Sequence, residues 1–202
     1  MLTLQVVRRE LRGEVVLLTL AHADGRALPE FTAGAHIDLH LSDDLLRPYS
    51  LCSSPQERHF YQLGVLKDSQ SQGGSLAVHA LREGDAIAVS EPRNLFALDE
   101  KARHSLRIGG GIGITPRLGM AAELLAAGRT FSLHYCAKTR DQAAFLPQLE
   151  ASAYASQVHL HCSDEQRINL DAVLCDVPEG THVYVCGPAR LMDAVHERAL
   201  AQ

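Results

Sequence analysis

No stretch of this 202-residue sequence approaches the roughly 18 consecutive apolar residues that a membrane-spanning helix requires. No block of lysine and arginine is long enough to grip a phosphate backbone. With 19 Lys+Arg against 24 Asp+Glu the net charge is −5, which argues against nucleic-acid binding through general electrostatics. The N-terminus, MLTLQVVRRE, has too short an apolar run for a signal peptide, and its charges follow that run instead of preceding it. A cytoplasmic location is the expectation. The five cysteines (Cys52, Cys136, Cys162, Cys175 and Cys186) are odd in number and widely spaced, which argues against a disulfide framework. No CxxC occurs, so no zinc or iron–sulfur ligand set is expected in this chain. The nucleophile-elbow pattern GxSxG and the Lys-Ser/Thr pair of a P-loop are both missing. The eleven histidines do not form a metal set either. His36 and His40, four apart on a strand, stand about 13 Å from each other. His159 and His161 share a face, but Cys162 points the opposite way, so only two ligands converge.

What is present is an ordinary globular balance, 46% hydrophobic and 21% charged, at a length that fits one large or two small domains. Two rhythms divide it. In residues 35–41, Ile37, Leu39 and Leu41 share one face while His36, Asp38 and His40 take the other, the period of a half-buried strand. Residues 2–7, 15–20, 49–52, 60–66 and 86–90 read the same way, separated by Gly, Pro and Asp turns. Six short strands at this spacing predict a small antiparallel β-barrel. One helix, residues 75–81, interrupts them, with Ser75 as its N-cap. From about residue 104 strands alternate with helices: strands at 105–108, 130–136, 158–161 and 181–186, helices at 116–127, 142–150, 170–174 and 189–200. That alternation predicts a parallel sheet with helices on both faces. The expected domains are residues 1–100 and 101–202, joined through residues 92–101.

Four signals bear on chemistry. In Ile108-Gly109-Gly110-Gly111-Ile112-Gly113-Ile114-Thr115-Pro116 a strand runs into a glycine-rich turn and then a helix, with Thr115 expected at N-cap and Pro116 at N1. Glycines let backbone approach a pyrophosphate, and a helix N-terminus offers it free N–H groups. Pro116 stands where GxGxxG would have its third glycine. Arg47-Pro48-Tyr49-Ser50 puts a guanidinium, a ring and a hydroxyl within four residues, able to hold a phosphate and cover a ring. Gly73-Gly74-Ser75 opens another helix. Tyr184-Val185-Cys186-Gly187-Pro188 ends the last parallel strand, at the end where such sheets bind ligands.

In this order, RxYS, GGS, GGIGITP and CGP, the motifs resemble the ferredoxin–NAD(P) reductase superfamily. Within it the chain looks most like the phthalate dioxygenase reductase and vanillate demethylase reductase family. Pro92-Arg93-Asn94-Leu95-Phe96, Thr139-Arg140-Asp141 and Met192-Asp193 match as well. The resemblance implies a flavin-binding barrel and a nicotinamide-dinucleotide domain, with hydride passing from NADH to FMN and electrons leaving singly. It implies Arg47 on the flavin phosphate, Pro48 beside it in the motif, Tyr49 on the flavin and ribityl region, and Ser50 near the reactive nitrogen. Backbone at Val65 and Leu66 would meet the pyrimidine edge, and Gly74 and Ser75 the phosphate. Gly110, Gly111 and Thr115 would meet the dinucleotide, Thr139 and Arg140 its adenosine end, and Cys186 the nicotinamide, next to Gly187 and Pro188. Ser50 and Cys186 are thus the residues expected at the chemistry. Family members usually continue into a further strand and a plant-type 2Fe–2S domain. The implied partner is therefore a separate 2Fe–2S ferredoxin or oxygenase component, unless the chain is a fragment. Arg117 stands where the family usually has an apolar residue. The alternatives are an FAD-containing ferredoxin–NADP reductase and a non-catalytic remnant that binds dinucleotide or a partner. Lys138 and Arg140 lean towards NADPH, whereas the resemblance and Asp141 lean towards NADH.

Overall fold

The structure is a computed structural model that describes residues 1–70 and 72–201. Its contacts divide the chain into two units: Met1–Leu98 together with Leu118–Glu123, and Asp99–Arg117 together with the chain from Leu124 onward. Among the described residues no helix is long and apolar enough to cross a membrane.

The first unit contains β1 (Leu2–Arg12), β2 (Val15–Ala21), β3 (His36–Ser42), β4 (Leu45–Ser50), β5 (Tyr61–Leu66), α1 (Gly74–Ala80) and β6 (Ala86–Val89). The six strands form one antiparallel sheet in the order β4-β3-β6-β1-β2-β5. A bridge between Leu51, just past β4, and Leu63 on β5 joins the two ends of that order and closes the barrel. Alternating residues (Leu4 and Val6, Val16 and Leu18, Ile37 and Leu39) point into its core and are almost wholly buried. Each such side chain contributes about 1.5–3 kcal/mol of burial.

Two strands differ from the pattern expected of them. β1 continues five residues past the apolar run, through an irregularity between Val6 and Arg8, because Arg8–Arg12 pair with Val15–Thr19 of β2 across the hairpin; Glu10 also binds Arg8 and Arg12 along the strand. β4 begins at Leu45, not at residue 49, and ends at Ser50. Pro48 has no N–H to give a ladder, but β4 pairs in the sheet with β3 alone, so its other side makes no such demand. Ser75 does not cap α1. The cap is Gly73, whose φ of 92° suits glycine, and the Ser75 hydroxyl accepts from the Asp68 N–H at 3.0 Å.

The second unit contains β7 (His104–Gly110), the two ends of α2 (Thr115–Ala126), whose middle belongs to the first unit, β8 (Phe131–Ala137), α3 (Leu146–Glu150), β9 (Val158–Cys162), α4 (Leu170–Cys175), β10 (Thr181–Cys186) and α5 (Ala189–Leu200). Its sheet is parallel, in the order β10-β7-β8-β9. Leu106 and Ile108 of β7 pack with Leu170, Leu174 and Val195 of α4 and α5. The single helix expected over 142–150 is broken into a 3₁₀ turn, Arg140–Gln142, and the short α3. Pro147 lies in the first turn of α3, lacks an N–H, and disfavours a helical residue before it.

Candidate functional site

In the first unit, β4 carries Arg47, Pro48, Tyr49 and Ser50 opposite Leu39, Asp38, Ile37 and His36 of β3. The pleat therefore puts Arg47 and Tyr49 on the face of the core residues Leu39 and Ile37. Pro48 and Ser50 take the other face. Tyr49 packs against the barrel core. Burial pushes its phenol up, and the neighbouring Arg47 charge pulls it back. Arg47 crosses the start of α1: a Cβ on Gly74 would lie 2.8 Å from Arg47 Cγ and 3.2 Å from its Nε. Only glycine lets the arginine pass there, so the structure brings these two expected phosphate residues together. Arg47 Nη1 donates to its neighbour's carbonyl, Leu46 O, at 2.8 Å. On β5 the carbonyl of Val65 already accepts from His79 Nε2 at 2.8 Å, and the Leu66 side chain is exposed.

In the second unit, β8 and β9 lie on one side of β7 and β10 on the other. The sheet's topological switch point thus falls between β7 and β10, at whose carboxyl ends ligands of open α/β sheets bind. Gly109–Gly113 and Cys186–Pro188 both lie there, and Cys186 pairs with Gly109. The two loops interlock. A Cβ on Gly113 would stand 2.4 Å from Cys186 O, one on Gly110 would stand 2.7 Å from Leu191 Cδ2, and one on Gly187 would stand 2.9 Å from Gly110 Cα. These glycines are required by the protein's own packing. Gly111 differs: its φ is 54°, nothing lies within 4 Å of its Cβ position, and it is exposed. It is the glycine of this loop that is open to a ligand.

The helical run also begins earlier than the sequence suggests. A 3₁₀ turn, Gly111–Ile114, leads straight into α2, and Thr115 has helical angles (φ −54°, ψ −48°). Thr115 is therefore not an N-cap; its buried hydroxyl donates to Ile112 O at 3.0 Å. Free N–H groups of this terminus belong to the glycine turn. At the end of β8, Thr139 accepts from the Gln142 N–H at 3.3 Å and caps the 3₁₀ turn, while the exposed Arg140 pairs with Glu150. Asp141 is exposed beside them.

The link residues are structural within the first unit. Arg93 pairs with the carboxylate of Asp38, only 11% exposed, and Asn94 Nδ2 donates to Thr32 Oγ1 at 2.6 Å and to Ala33 O at 2.9 Å. Two features have no counterpart in the expected site. His134 of β8 joins His159 and His161 in a stack of imidazoles, with His134 Nδ1 2.9 Å from His161 Nε2. Arg107 and Arg117 are both wholly buried. Period-2 reading puts His134 on the face opposite Leu133 and Tyr135, which was the one available signal.

Comparisons with known proteins agree with this architecture. The family profile described as an oxidoreductase NAD-binding domain matches residues 108–197. A vanillate O-demethylase oxidoreductase from a Pseudomonas strain is 47% identical over 193 residues, covering 94% of this chain and 61% of that protein. The carnitine monooxygenase reductase subunit of Escherichia coli is 42% identical, covering 94% of this chain and 60% of that one. The solved structure of phthalate dioxygenase reductase, described as a modular structure for electron transfer from pyridine nucleotides to 2Fe–2S, superposes with a TM-score of 0.93 at 35% identity. It covers 98% of this chain and 64% of that one. The chain thus spans about three fifths of the length of these curated relatives. By sequence along nearly all of its length and by fold, the chain belongs to the ferredoxin-reductase-like family.

Proposed function

We propose that this chain is the flavin- and nicotinamide-binding part of an oxygenase reductase, with FMN in the first unit and NADH in the second. The observation that carries the reading is the exposed Gly111 turn interlocked with Cys186–Pro188 at the switch point of a parallel sheet. The Arg47–Gly74 crossing supports a phosphate in the first unit, because a Cβ would fill the cradle that the arginine occupies. A bound flavin supplies acceptance of a hydride and release of electrons one at a time.

The chain's residues would do the following. Arg47 neutralises a phosphate, with Gly74 and Ser75 presenting backbone N–H groups. The Ser75 side chain is engaged by Asp68, so its amide is the group on offer. Tyr49 covers the ribityl region, with Pro48 stiffening the strand between them. Ser50 offers a hydroxyl to the ring, and Val65 and Leu66 offer backbone to its pyrimidine edge. In the second unit Gly110 and Gly111 form the turn that receives the diphosphate, Thr115 closes that turn from behind through its hydroxyl on Ile112 O, and Thr139 and Arg140 meet the adenosine end. Cys186, Gly187 and Pro188 bound the nicotinamide. No side chain has to act as a general acid or base. Electrons would pass to a separate 2Fe–2S ferredoxin or oxygenase component.

The purified chain should be yellow, release FMN on acid extraction, and reduce ferricyanide with NADH. It should reduce cytochrome c slowly until a 2Fe–2S ferredoxin is added. A colourless chain that fails to bind added FMN overturns the reading, and FAD in the extract replaces FMN by its larger relative.

A further inference from the structure

The chain just past β8 carries a cation that the protein's own carboxylates have already answered. In a strand–helix–strand unit of this kind the adenosine ribose lies at the carboxyl end of the second parallel strand. There an acidic side chain takes its 2′-hydroxyl, or an arginine takes a 2′-phosphate. The second strand here is β8, which follows β7 and α2, and the residues that leave it are Lys138-Thr139-Arg140-Asp141. Arg140 is the one of these best suited to a phosphate, because a guanidinium grips two of its oxygens at once. Its Nη2 instead donates to Glu150 Oε1, and both side chains are exposed.

The local structure fixes that pair. The Thr139 hydroxyl accepts from the Gln142 N–H at 3.3 Å and caps the 3₁₀ turn Arg140–Gln142, which sets where the arginine leaves the chain. Leu146 and Leu149, both buried, anchor α3, whose last residue is Glu150. A carboxylate gains nothing from the C-terminal end of a helix, so the charge of Glu150 serves its partner ten residues back. The ends of β8 and β9 lie side by side, Ala137 opposite Cys162. Asp164 and Glu165, which follow β9, and Arg140 all stand close enough to bear on the Cys162 thiol. Arg140 is therefore set among carboxylates: Glu150 binds it, Asp141 follows it directly, and Asp164 and Glu165 are in its neighbourhood.

We propose that Glu150 is a specificity-determining residue: by holding Arg140 it keeps that guanidinium from a 2′-phosphate and turns the site towards a dinucleotide whose ribose carries a free 2′-hydroxyl. The proposal rests on the dinucleotide reading of the second unit. Glu150 acts through Arg140 and need not touch the ligand. Two effects set its size. An exposed ion pair shifts a competing equilibrium by up to about fivefold. A carboxylate about 7 Å from a doubly charged phosphate lowers its affinity by a further factor of about two to three after screening by salt. Together they amount to about tenfold against the 2′-phosphate.

The test titrates the full chain, at about 0.05 M salt, with ADP-ribose and with its 2′-phosphorylated form. Wild type should bind ADP-ribose more tightly. Glu150→Ala should bind the 2′-phosphorylated form about tenfold more tightly than wild type does, with affinity for ADP-ribose changed by less than about twofold. In an Arg140→Ala background the same change should bring only the factor of about two to three that relief of repulsion supplies. An equal gain in both backgrounds would mean that Glu150 acts by its charge alone and overturns the proposal. So does a gain shared by both ligands, or a wild type that prefers the 2′-phosphorylated form. If Glu150→Ala does not fold, Glu150→Gln removes the charge at nearly constant size. Wild type failing to bind ADP-ribose overturns the dinucleotide reading itself. Wild type binding it, with Glu150→Ala no better on the 2′-phosphorylated form, overturns the role of Glu150 alone.

Discussion

Acid should loosen the second unit through its histidine stack. His134 is 8% exposed; its ring centroid lies 4.7 Å from that of His159 and 5.2 Å from that of His161, with nearly parallel planes in the latter pair. The 2.9 Å contact between His134 Nδ1 and His161 Nε2 needs one ring to donate and the other to accept, so it exists only while at least one is neutral. Burial first, then the neighbouring His159 and His161, hold His134 down to about 3 from an ordinary 6.5. Burial pulls His161 down as well. A histidine depressed in the folded state binds its proton more readily when unfolded. Its stabilising contribution is therefore complete above pH 6.5 and is lost as pH falls from there towards 3. For a single site with that shift the loss between pH 7 and pH 5 is about 2 kcal/mol, and solvent at the outer rings trims it to about 1–2 kcal/mol. Urea unfolding at pH 7.5, 6 and 5 would be compared for wild type and His134→Phe, which keeps a stacked ring but no proton site. Wild type should lose about 1–2 kcal/mol more than the variant over this range. Equal losses would refute the reasoning.

Gly113→Ala puts a methyl 2.4 Å from Cys186 O, where only backbone movement can relieve it. It should cost on the order of 1–3 kcal/mol in thermal unfolding and weaken ADP-ribose binding, whereas Gly111→Ala has room and pays only for its positive φ. On the proposed reading Arg47→Ala removes a charge-assisted phosphate contact of about 1.5–3 kcal/mol, so gel filtration should strip most of the flavin; retention at the wild-type level would remove Arg47 from the site. Arg93→Ala strips the nearly buried Asp38 carboxylate of its ion-pair partner and should lower urea stability by about 1–3 kcal/mol, with Asp38→Asn, Arg93→Ala together recovering part of it. Asp141→Ala should shift the ratio of kcat/KM for NADH over NADPH towards NADPH, and an unchanged ratio would show that Asp141 does not set the choice.

The periodicities of the sequence were enough to foresee a barrel followed by a parallel α/β sheet, because apolar alternation and strand–helix alternation are local properties. What they could not foresee depends on partners distant in sequence. β1 runs on through Arg8–Arg12 because those residues pair with Val15–Thr19 of β2, which the apolar pattern of β1 alone does not record. The glycine turn held four glycines in five positions, which pointed to a ligand. Gly110 and Gly113 prove to be there for Leu191 and Cys186, residues more than seventy positions away. Thr115-Pro116 carried the usual signature of a helix start, yet the 3₁₀ turn moves that start back to Gly111. His134 meets His159 and His161 only through the parallel register of β8 and β9. Arg107 gave no sign at all, since one polar residue in a short apolar strand leaves the period intact.

The Leu51–Leu63 bridge has a consequence for how the two units respond to their surroundings. That bridge brings β4 and β5, the end strands of the sheet, side by side, so the first unit leaves less open strand edge than a flat six-stranded sheet would. The sheet of the second unit ends in β9 and β10, each paired on one side only among the described residues. β10, Thr-His-Val-Tyr-Val-Cys, lacks the lysine or proline that commonly guards such an edge. Deuterium should therefore enter the outward-facing amides of β9 and β10 early and those of the barrel strands late. Any self-association by strand addition should begin on the second unit, at β10.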